Sequence, residues 1–356
     1  MTNPLLTPID QFIDYQAIRA EHIEPAIDIL LARAKEKIET LVNQDNPSWD
    51  TVVEPLHDAT EQLWRAWSVS RHLNAVVNTP ELRAAVNECL PKISAFSTWL
   101  GQHQALYALY KQMAEPAYFE QLSAPRQRAI NLALQSFVLN GADLDQEKRA
   151  EFAQNQQEPA TTSPQFAENV LDSTDHWALY IPDEQQLAGI PADVLAAAQQ
   201  EARQEDREGW KLSLKMPCYL PVMQYAENAQ LRETMYRAYS TIASEQSDEP
   251  KWDNSQAIET LLALRIQEAE LLGFEHFAEC QLQTRMADSA EQTIEFLRDL
   301  AQRSKPYAKQ DYQDLEEFAH TRLGLTELNP WDVAYVSEQL KKAEYDYSED
   351  EIKQYF

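Results

Sequence analysis

The sequence predicts an all-α protein with many helices, and three observations carry this prediction. Only six of the 356 residues are glycine, and neither a GxGxxG nor a GxxxxGK[ST] phosphate-binding loop occurs. Alanine, leucine, glutamate and glutamine, which favour helix, are abundant. Apolar residues also recur at helical spacing, as in Ile23, Ile27, Leu30, Leu31, Ala34, Ile38 and Leu41.

Residues 1–145 predict an N-terminal helical bundle. Short breaks between consecutive helices indicate antiparallel neighbours. Thr79 stands where an N-cap is expected, and Pro80 follows at a first helical position that tolerates proline. The expected helices run from His22 to Val42, from Trp49 towards Leu73, from Pro80 to Leu100, from Leu106 to Met113 and from Arg126 to Leu139.

Residues 146–215 predict an irregular or remodelled connection. Pro159 and Pro164 fall inside a stretch where a helix is expected, and an interior proline costs about 3 kcal/mol or more, so one long helix here requires a kink. Residues 176–181 and 210–214 alternate polar and apolar side chains, which predicts one small antiparallel β element. A helix is expected between them, over 191–208.

Residues 216–356 predict a third region, again helical. Gly273 stands where a left-handed helix cap is expected. Ser348 and Glu351 form a capping box that predicts the start of another helix, five residues before the last residue, so the sequence looks cut there. One helix is expected from the spacing of Leu231, Tyr236, Tyr239 and Ile242, and a second from Ile258 to Leu272. A pair of helices is expected over Ser289–Lys305 and Tyr307–Arg322, and a last one from Tyr335 to Lys342.

An ordered set of short motifs in this third region resembles the thimet oligopeptidase family of zinc metallopeptidases. The resemblance extends over essentially the whole chain and is strongest to the N-terminal half of the family's bacterial oligopeptidases. The motifs are Arg232 with Tyr236 and Tyr239, Asp253-Asn254, Leu261-Leu262 with Leu264-Arg265, Leu271-Leu272-Gly273-Phe274, and Met286-Ala287.

The resemblance implies a neurolysin-like helical fold with a deep channel, of which residues 216–356 would form a wall leading towards an absent catalytic half. The complete family enzyme uses a HExxH zinc site to hydrolyse short peptides, including cleaved signal peptides. In this chain no two of the seven histidines lie three to five residues apart, so HExxH is absent. We therefore assign no catalytic or metal-binding residue, expect zinc only in the complete enzyme, and expect this chain to be inactive alone.

Seven aromatic and basic residues are candidates for a substrate channel: Tyr219, Tyr225, Arg232, Tyr236, Arg237, Tyr239 and Arg265. The tyrosines could hydrogen-bond an extended peptide, and the arginines could bind its carboxylate. Helix packing is the alternative for the tyrosines, whose spacing favours it, and ion pairing to the abundant acidic residues is the plainer account of the arginines.

Other catalytic constellations are weak. Ser173, Asp175 and His176 form a compact cluster, but no GxSxG elbow supports a serine nucleophile. The neighbouring pairs His22 with Glu24 and Glu275 with His276 are expected by chance in a chain with 58 acidic residues. Surface or helix-capping roles are the preferred interpretation of these histidines.

Charge and composition restrict the partners and the compartment. A net charge of −28 argues against binding of nucleic acid or of an anionic membrane surface, both of which need a basic patch. No signal peptide or membrane-spanning run is visible, and Cys89, Cys218 and Cys280 lack a CxxC spacing, which predicts reduced thiols in a cytoplasmic protein.

The expected partners are short peptides and a catalytic half on the same or another polypeptide. The alternative hypothesis is a stand-alone acidic helical protein that binds peptides or regulates without catalysis.

Overall fold

The computed structural model describes residues 3–345 and Tyr355. It confirms the all-α prediction, since 73% of it is helical and its described strands form one two-stranded antiparallel sheet. No helix among the described residues is both long and apolar enough to cross a membrane. Ser348 and Glu351 lie outside the described residues, so the capping box stays a prediction.

Fifteen α-helices, six short 3₁₀ or π-helical segments and two strands make up the described structure. The helices are α1 (Ile23–Leu41), α2 (Glu54–Val76), α3 (Pro80–Gly101), α4 (Gln104–Met113), α5 (Pro116–Phe119), α6 (Ala124–Leu139), α7 (Gln146–Asn155), α8 (Gln157–His176), α9 (Ala192–Gln204), α10 (Met216–Tyr225), α11 (Ala229–Ser240), α12 (Ser255–Leu272), α13 (Phe277–Leu282), α14 (Ala290–Leu323) and α15 (Val333–Tyr345). The strands are β1 (Ala178–Ile181) and β2 (Trp210–Ser213).

The chain divides into two compact units, and all three boundaries fall within helices. Unit 1 comprises Met1–Pro164 and Thr260–Ala290, and unit 2 comprises Gln165–Glu259 and Glu291–Phe356. Each unit therefore takes residues from two separate stretches of the sequence. The division into 1–145, 146–215 and 216–356 stays a prediction.

Unit 1 is built on a core shared by α1, α2 and α3, with α4 packed on α6 beside it. The apolar stripe of α1 is buried as its spacing predicts, with Ile23, Ile27 and Ile38 fully buried. The hydroxyl of Thr79 accepts a hydrogen bond from the backbone N–H of Leu82 at 3.3 Å, which confirms the predicted N-cap of α3.

The segment expected to be irregular forms two helices instead, α7 and α8, separated at Gln156. Pro159 is the third residue of α8, where backbone N–H groups have no intrahelical partner, so it removes no hydrogen bond. Pro164 lies within α8. Asn155 at the end of α7 is buried, and its side-chain amide donates to the Leu264 carbonyl and to Gln267 Oε1, both at 3.1 Å.

The core of unit 2 joins the two-stranded sheet to α9, α10 and α11. The predicted antiparallel pair is confirmed, with Ala178 opposite Ser213 and Ile181 opposite Trp210. The backbone of Gly189 has φ +88° after β1, and a Cβ there would lie 2.2 Å from the Tyr225 carbonyl oxygen. Only glycine lets the chain pass this close to the end of α10.

The helical pair expected over 289–322 is wrong, because α14 is one helix of 34 residues that continues through Pro306. Strong helix formers flank the proline on both sides. Every side chain from Ile294 to Asp314 is exposed, so the proline ring meets no packed neighbour that a local kink would disturb. Pro306 therefore costs the helix one backbone hydrogen bond but no packing against other side chains.

A buried ion pair ties three parts of unit 2 together. Arg232 of α11 is 1% exposed, and its Nη2 lies 2.5 Å from Oδ1 of Asp332, which directly precedes α15. Its Nη1 donates to the carbonyls of Ala226, at 2.5 Å, and Glu227, at 3.2 Å, just after α10. The ring of Tyr335 lies 4.2 Å from the guanidinium carbon.

We expect Gly189→Ala to lower the free energy of unfolding by about 3 kcal/mol or more, because it adds a steric clash to left-handed strain. Gly273→Ala is the matched control: Gly273 also has positive φ, +79°, but a Cβ there meets no atom within 4 Å. Strain alone predicts a loss of about 1–2 kcal/mol for the control. Denaturant unfolding measures both, and equal losses would contradict the close approach to Tyr225.

We expect Asp332→Asn to lower the free energy of unfolding by about 3–5 kcal/mol, because it leaves the buried Arg232 guanidinium without a counter-charge. Asp299→Asn removes the partner of Arg303 from an exposed pair at 2.9 Å and serves as the control. That change is expected to cost less than about 1 kcal/mol. Thermal and denaturant unfolding of both variants give the comparison, and a small effect of Asp332→Asn would show that the pair does not hold unit 2 together.

Candidate functional site

The structure places six of the seven channel candidates in unit 2 and the seventh, Arg265, in unit 1. Arg265 is exposed on α12, and its guanidinium carbon lies 5.3 Å from the ring centroid of Phe277. Arg232 belongs to the buried ion pair, so its Nη1 and Nη2 already serve protein partners, as the ion-pair interpretation predicts. The substrate role of Arg265 stays a prediction.

Three of the tyrosines are occupied in packing between helices. Tyr219 stacks on Tyr239 with ring centroids 4.1 Å apart, and burial raises the pKa of Tyr219 to about 12. The hydroxyl of Tyr225 donates to Oε1 of Glu338 on α15 at 3.1 Å. These contacts join α10 to α11 and to α15, as the packing interpretation predicts.

The remaining two candidates, Tyr236 and Arg237 of α11, line a cavity of about 600 Å³ within unit 2. This volume falls in the range that small-ligand sites occupy, about 300–1,000 Å³. The cavity is also lined by residues from the end of α8, from the rest of α11 and from the segment before α12, including His176, Trp177, Asp248, Glu249 and Trp252.

Ion pairs and ring contacts order one wall of this cavity. Nε2 of His176 lies 3.5 Å from Oε1 of Glu249, and its ring meets the ring of Trp252 edge-on at 5.0 Å between centroids. The ammonium of Lys251 lies 4.0 Å from both Oε2 of Glu249 and the Trp252 ring centroid. Carboxylate, imidazole and indole are therefore held in one cluster beside the cavity.

The Ser173, Asp175 and His176 cluster is not arranged as a catalytic triad. Ser173 is 6% exposed, and its Oγ accepts a hydrogen bond from the Ala243 backbone at 3.3 Å. Asp175 pairs with Lys215 at 3.1 Å, while His176 pairs with Glu249. With the carboxylate and the imidazole paired elsewhere, nothing activates the serine.

The two histidines beside glutamates act as helix caps, which agrees with the preferred interpretation. Nδ1 of His22 accepts from the Arg19 backbone at 3.0 Å, and Nδ1 of His276 accepts from the Glu279 backbone at 3.3 Å. No group of three or more His, Cys, Asp or Glu side chains within the described part of the chain is arranged to hold a metal ion. The residues present do not fit the zinc site of the resembling family.

Sequence reasoning missed several cavity residues, and tertiary contacts explain why. Asp253-Asn254 is one of the motifs that carry the family resemblance. Asn254 is buried, and its side-chain amide donates to the Phe166 carbonyl at 3.0 Å. Oδ1 of Asn254 also accepts from Nδ2 of Asn169 at 2.8 Å. These bonds anchor the segment that carries Trp252 against α8, whose end carries His176. The Asp253-Asn254 motif was the sequence signal that pointed to this segment.

Two family models match the chain. The N-terminal domain of neurolysin and thimet oligopeptidase matches residues 27–149, and peptidase family M3 matches residues 222–356. Oligopeptidase A of Salmonella typhimurium is 42% identical over 358 residues, and oligopeptidase A of Escherichia coli is 41% identical over 358 residues. The probable cytosolic oligopeptidase A of Arabidopsis thaliana is 37% identical over 365 residues.

All three alignments take in 100% of this chain but only 51–52% of the relative. The chain thus spans about half the length of the curated relatives it matches. The part it matches is the N-terminal half. The chain belongs to the M3 family of peptidases, within which it aligns with the N-terminal half of oligopeptidase A.

Proposed function

We propose that this chain is the non-catalytic N-terminal lobe of a zinc-dependent oligopeptidase that hydrolyses short peptides, including cleaved signal peptides. The observation that carries the proposal is the alignment of its full length with the N-terminal half of oligopeptidase A. The lobe supplies a channel wall that limits access to short, unfolded peptides. Tyr236 and Arg237 are the candidates whose position on a cavity supports a role in that wall.

The catalytic chemistry of this proposal belongs to a partner. The sequence contains no HExxH, and the described residues hold no cluster that fits a metal. A catalytic half, on the same or another polypeptide, would provide the zinc. We propose the cytoplasm as the compartment, supported by the cytosolic name of the Arabidopsis relative.

An exposed apolar side of α14 supports docking of such a half. Phe296 is 65% exposed, Leu300 is 53% exposed and Tyr307 is 75% exposed, and their spacing places them along one side of the helix. Leu297, which is 56% exposed, widens the same side. Packing of an apolar face supplies most of the stability of a helix in a protein, so a covering surface would stabilise the exposed part of α14.

A chimera in which this chain replaces the N-terminal half of Escherichia coli oligopeptidase A is expected to hydrolyse a short quenched-fluorescence peptide, while this chain alone does not. A chelator is expected to abolish the activity of the chimera. Hydrolysis by the isolated chain would contradict the proposal. So would a chimera that folds and binds zinc but leaves the peptide intact.

Leu300→Asp in α14 is expected to weaken binding of a separately supplied C-terminal half of the same relative by at least about tenfold, because a buried carboxylate would remain unpaired at the interface. Val76→Asp is the control, since Val76 is 64% exposed at the end of α2 in unit 1. Surface plasmon resonance with the immobilised chain measures both. Equal binding by the two variants would place the docking surface elsewhere.

A further inference from the structure

We propose that the 600 Å³ cavity of unit 2 binds a short peptide with free ends, whose carboxylate pairs with Arg237 and whose ammonium pairs with Asp248. The choice of a peptide as the ligand rests on the proposed function. The site itself rests on the hydrogen-bond donors and charges that line the cavity. It is distinct from peptide hydrolysis, which we assign to the complete enzyme.

Arg237 has donor capacity left for a carboxylate. Its Nε donates to Oε1 of Glu233 at 2.9 Å, and its Nη2 lies 2.8 Å from the same oxygen. Its Nη1 has no hydrogen-bond acceptor in the described structure. The Trp331 ring, 5.3 Å from the guanidinium carbon, helps to hold the group in place. A planar guanidinium with free N–H groups is the side chain that best matches a carboxylate.

The aromatic wall of the cavity offers further donors. Trp177, Trp252 and Tyr236 line the cavity, and the indole N–H groups and the phenol have no acceptor in the part of the chain that the structure describes. All three side chains are half-buried, so these polar groups are available to a ligand. A peptide backbone brings carbonyl oxygens spaced along its length, which these donors can bind while its side chains contact the rings.

The acidic residues of the cavity differ in how they are engaged. Glu249 already pairs with His176 and lies near Lys251. Asp248 is exposed and makes no ion pair within the described residues, so its carboxylate is available for a ligand ammonium. A simple anion such as phosphate would gain from Arg237 but would be repelled by Asp248. A zwitterionic peptide places opposite charges on both groups.

The test follows the ¹⁵N indole N–H signals of the full chain during titration with tri-alanine, its C-terminal amide and its N-acetyl form. The signals of Trp177 and Trp252 are identified with single Trp→Phe variants. Saturable shifts of these two signals are expected with tri-alanine, and blocking either end is expected to weaken binding about tenfold or more. The absence of saturable shifts with tri-alanine would overturn the proposal.

Arg237→Gln is expected to weaken binding of tri-alanine about tenfold and to leave binding of the amide unchanged. Such non-additivity assigns the carboxylate to Arg237. Asp248→Asn is expected to weaken binding of tri-alanine about tenfold and to leave binding of its N-acetyl form unchanged. Arg265→Gln is the control, because Arg265 is an exposed arginine of unit 1. The assignment would be overturned if the loss of affinity from the variant added to the loss from blocking the matching end of the peptide. An equal loss of affinity in Arg265→Gln would overturn it as well.

The cavity proposal and the oligopeptidase proposal can fail independently, and the experiments distinguish the two failures. Arg237 is largely exposed, so the variant is expected to fold, and circular dichroism checks this. A chimera that hydrolyses peptides while this chain shows no saturable shifts would overturn the cavity proposal alone. Saturable, Arg237-dependent binding beside an inactive chimera would leave the cavity proposal standing and overturn the oligopeptidase proposal.

Discussion

The pairing of Arg232 with Asp332 is the interaction on which unit 2 depends. Residues 100 positions apart in sequence meet in a site closed to water, and the guanidinium also binds two carbonyls that follow α10. Removing charges from water is costly, and the bonds of Nη1 and Nη2 offset this cost although the buried Nε has no hydrogen-bond partner in the described structure. The pair therefore fixes α11 against the start of α15, and Tyr236 and Arg237 follow on α11 in the position that lines the cavity.

The features that the sequence predicted well are those decided by neighbouring residues. The N-cap at Thr79 and the left-handed backbone at Gly273 depend on local hydrogen bonds and sterics. The apolar stripe of α1 depends only on helical spacing. Pro306 shows the limit of such rules, because a proline ends or bends a helix according to what packs around it, which local sequence does not reveal.

The candidate site was only partly predictable for the same reason. Seven tyrosines and arginines looked equivalent in sequence, yet Arg232 is enclosed by carbonyls and a carboxylate while Arg237 keeps free donors. The difference arises from a partner about 100 residues away, at Asp332. Trp177 and Trp252 both line the cavity because a hydrogen bond from Asn169 to the buried Asn254 joins their segments, a contact that no spacing rule predicts.

The stability of the exposed part of α14 also depends on whether another surface covers it. A helix that few neighbours hold opens often, so its amide protons exchange with solvent faster than those of α1, whose apolar side is enclosed. Whatever covers α14 slows this opening in proportion to its affinity and concentration. A protease that cuts unwound segments would then remove chains that lack a partner and spare those that have one.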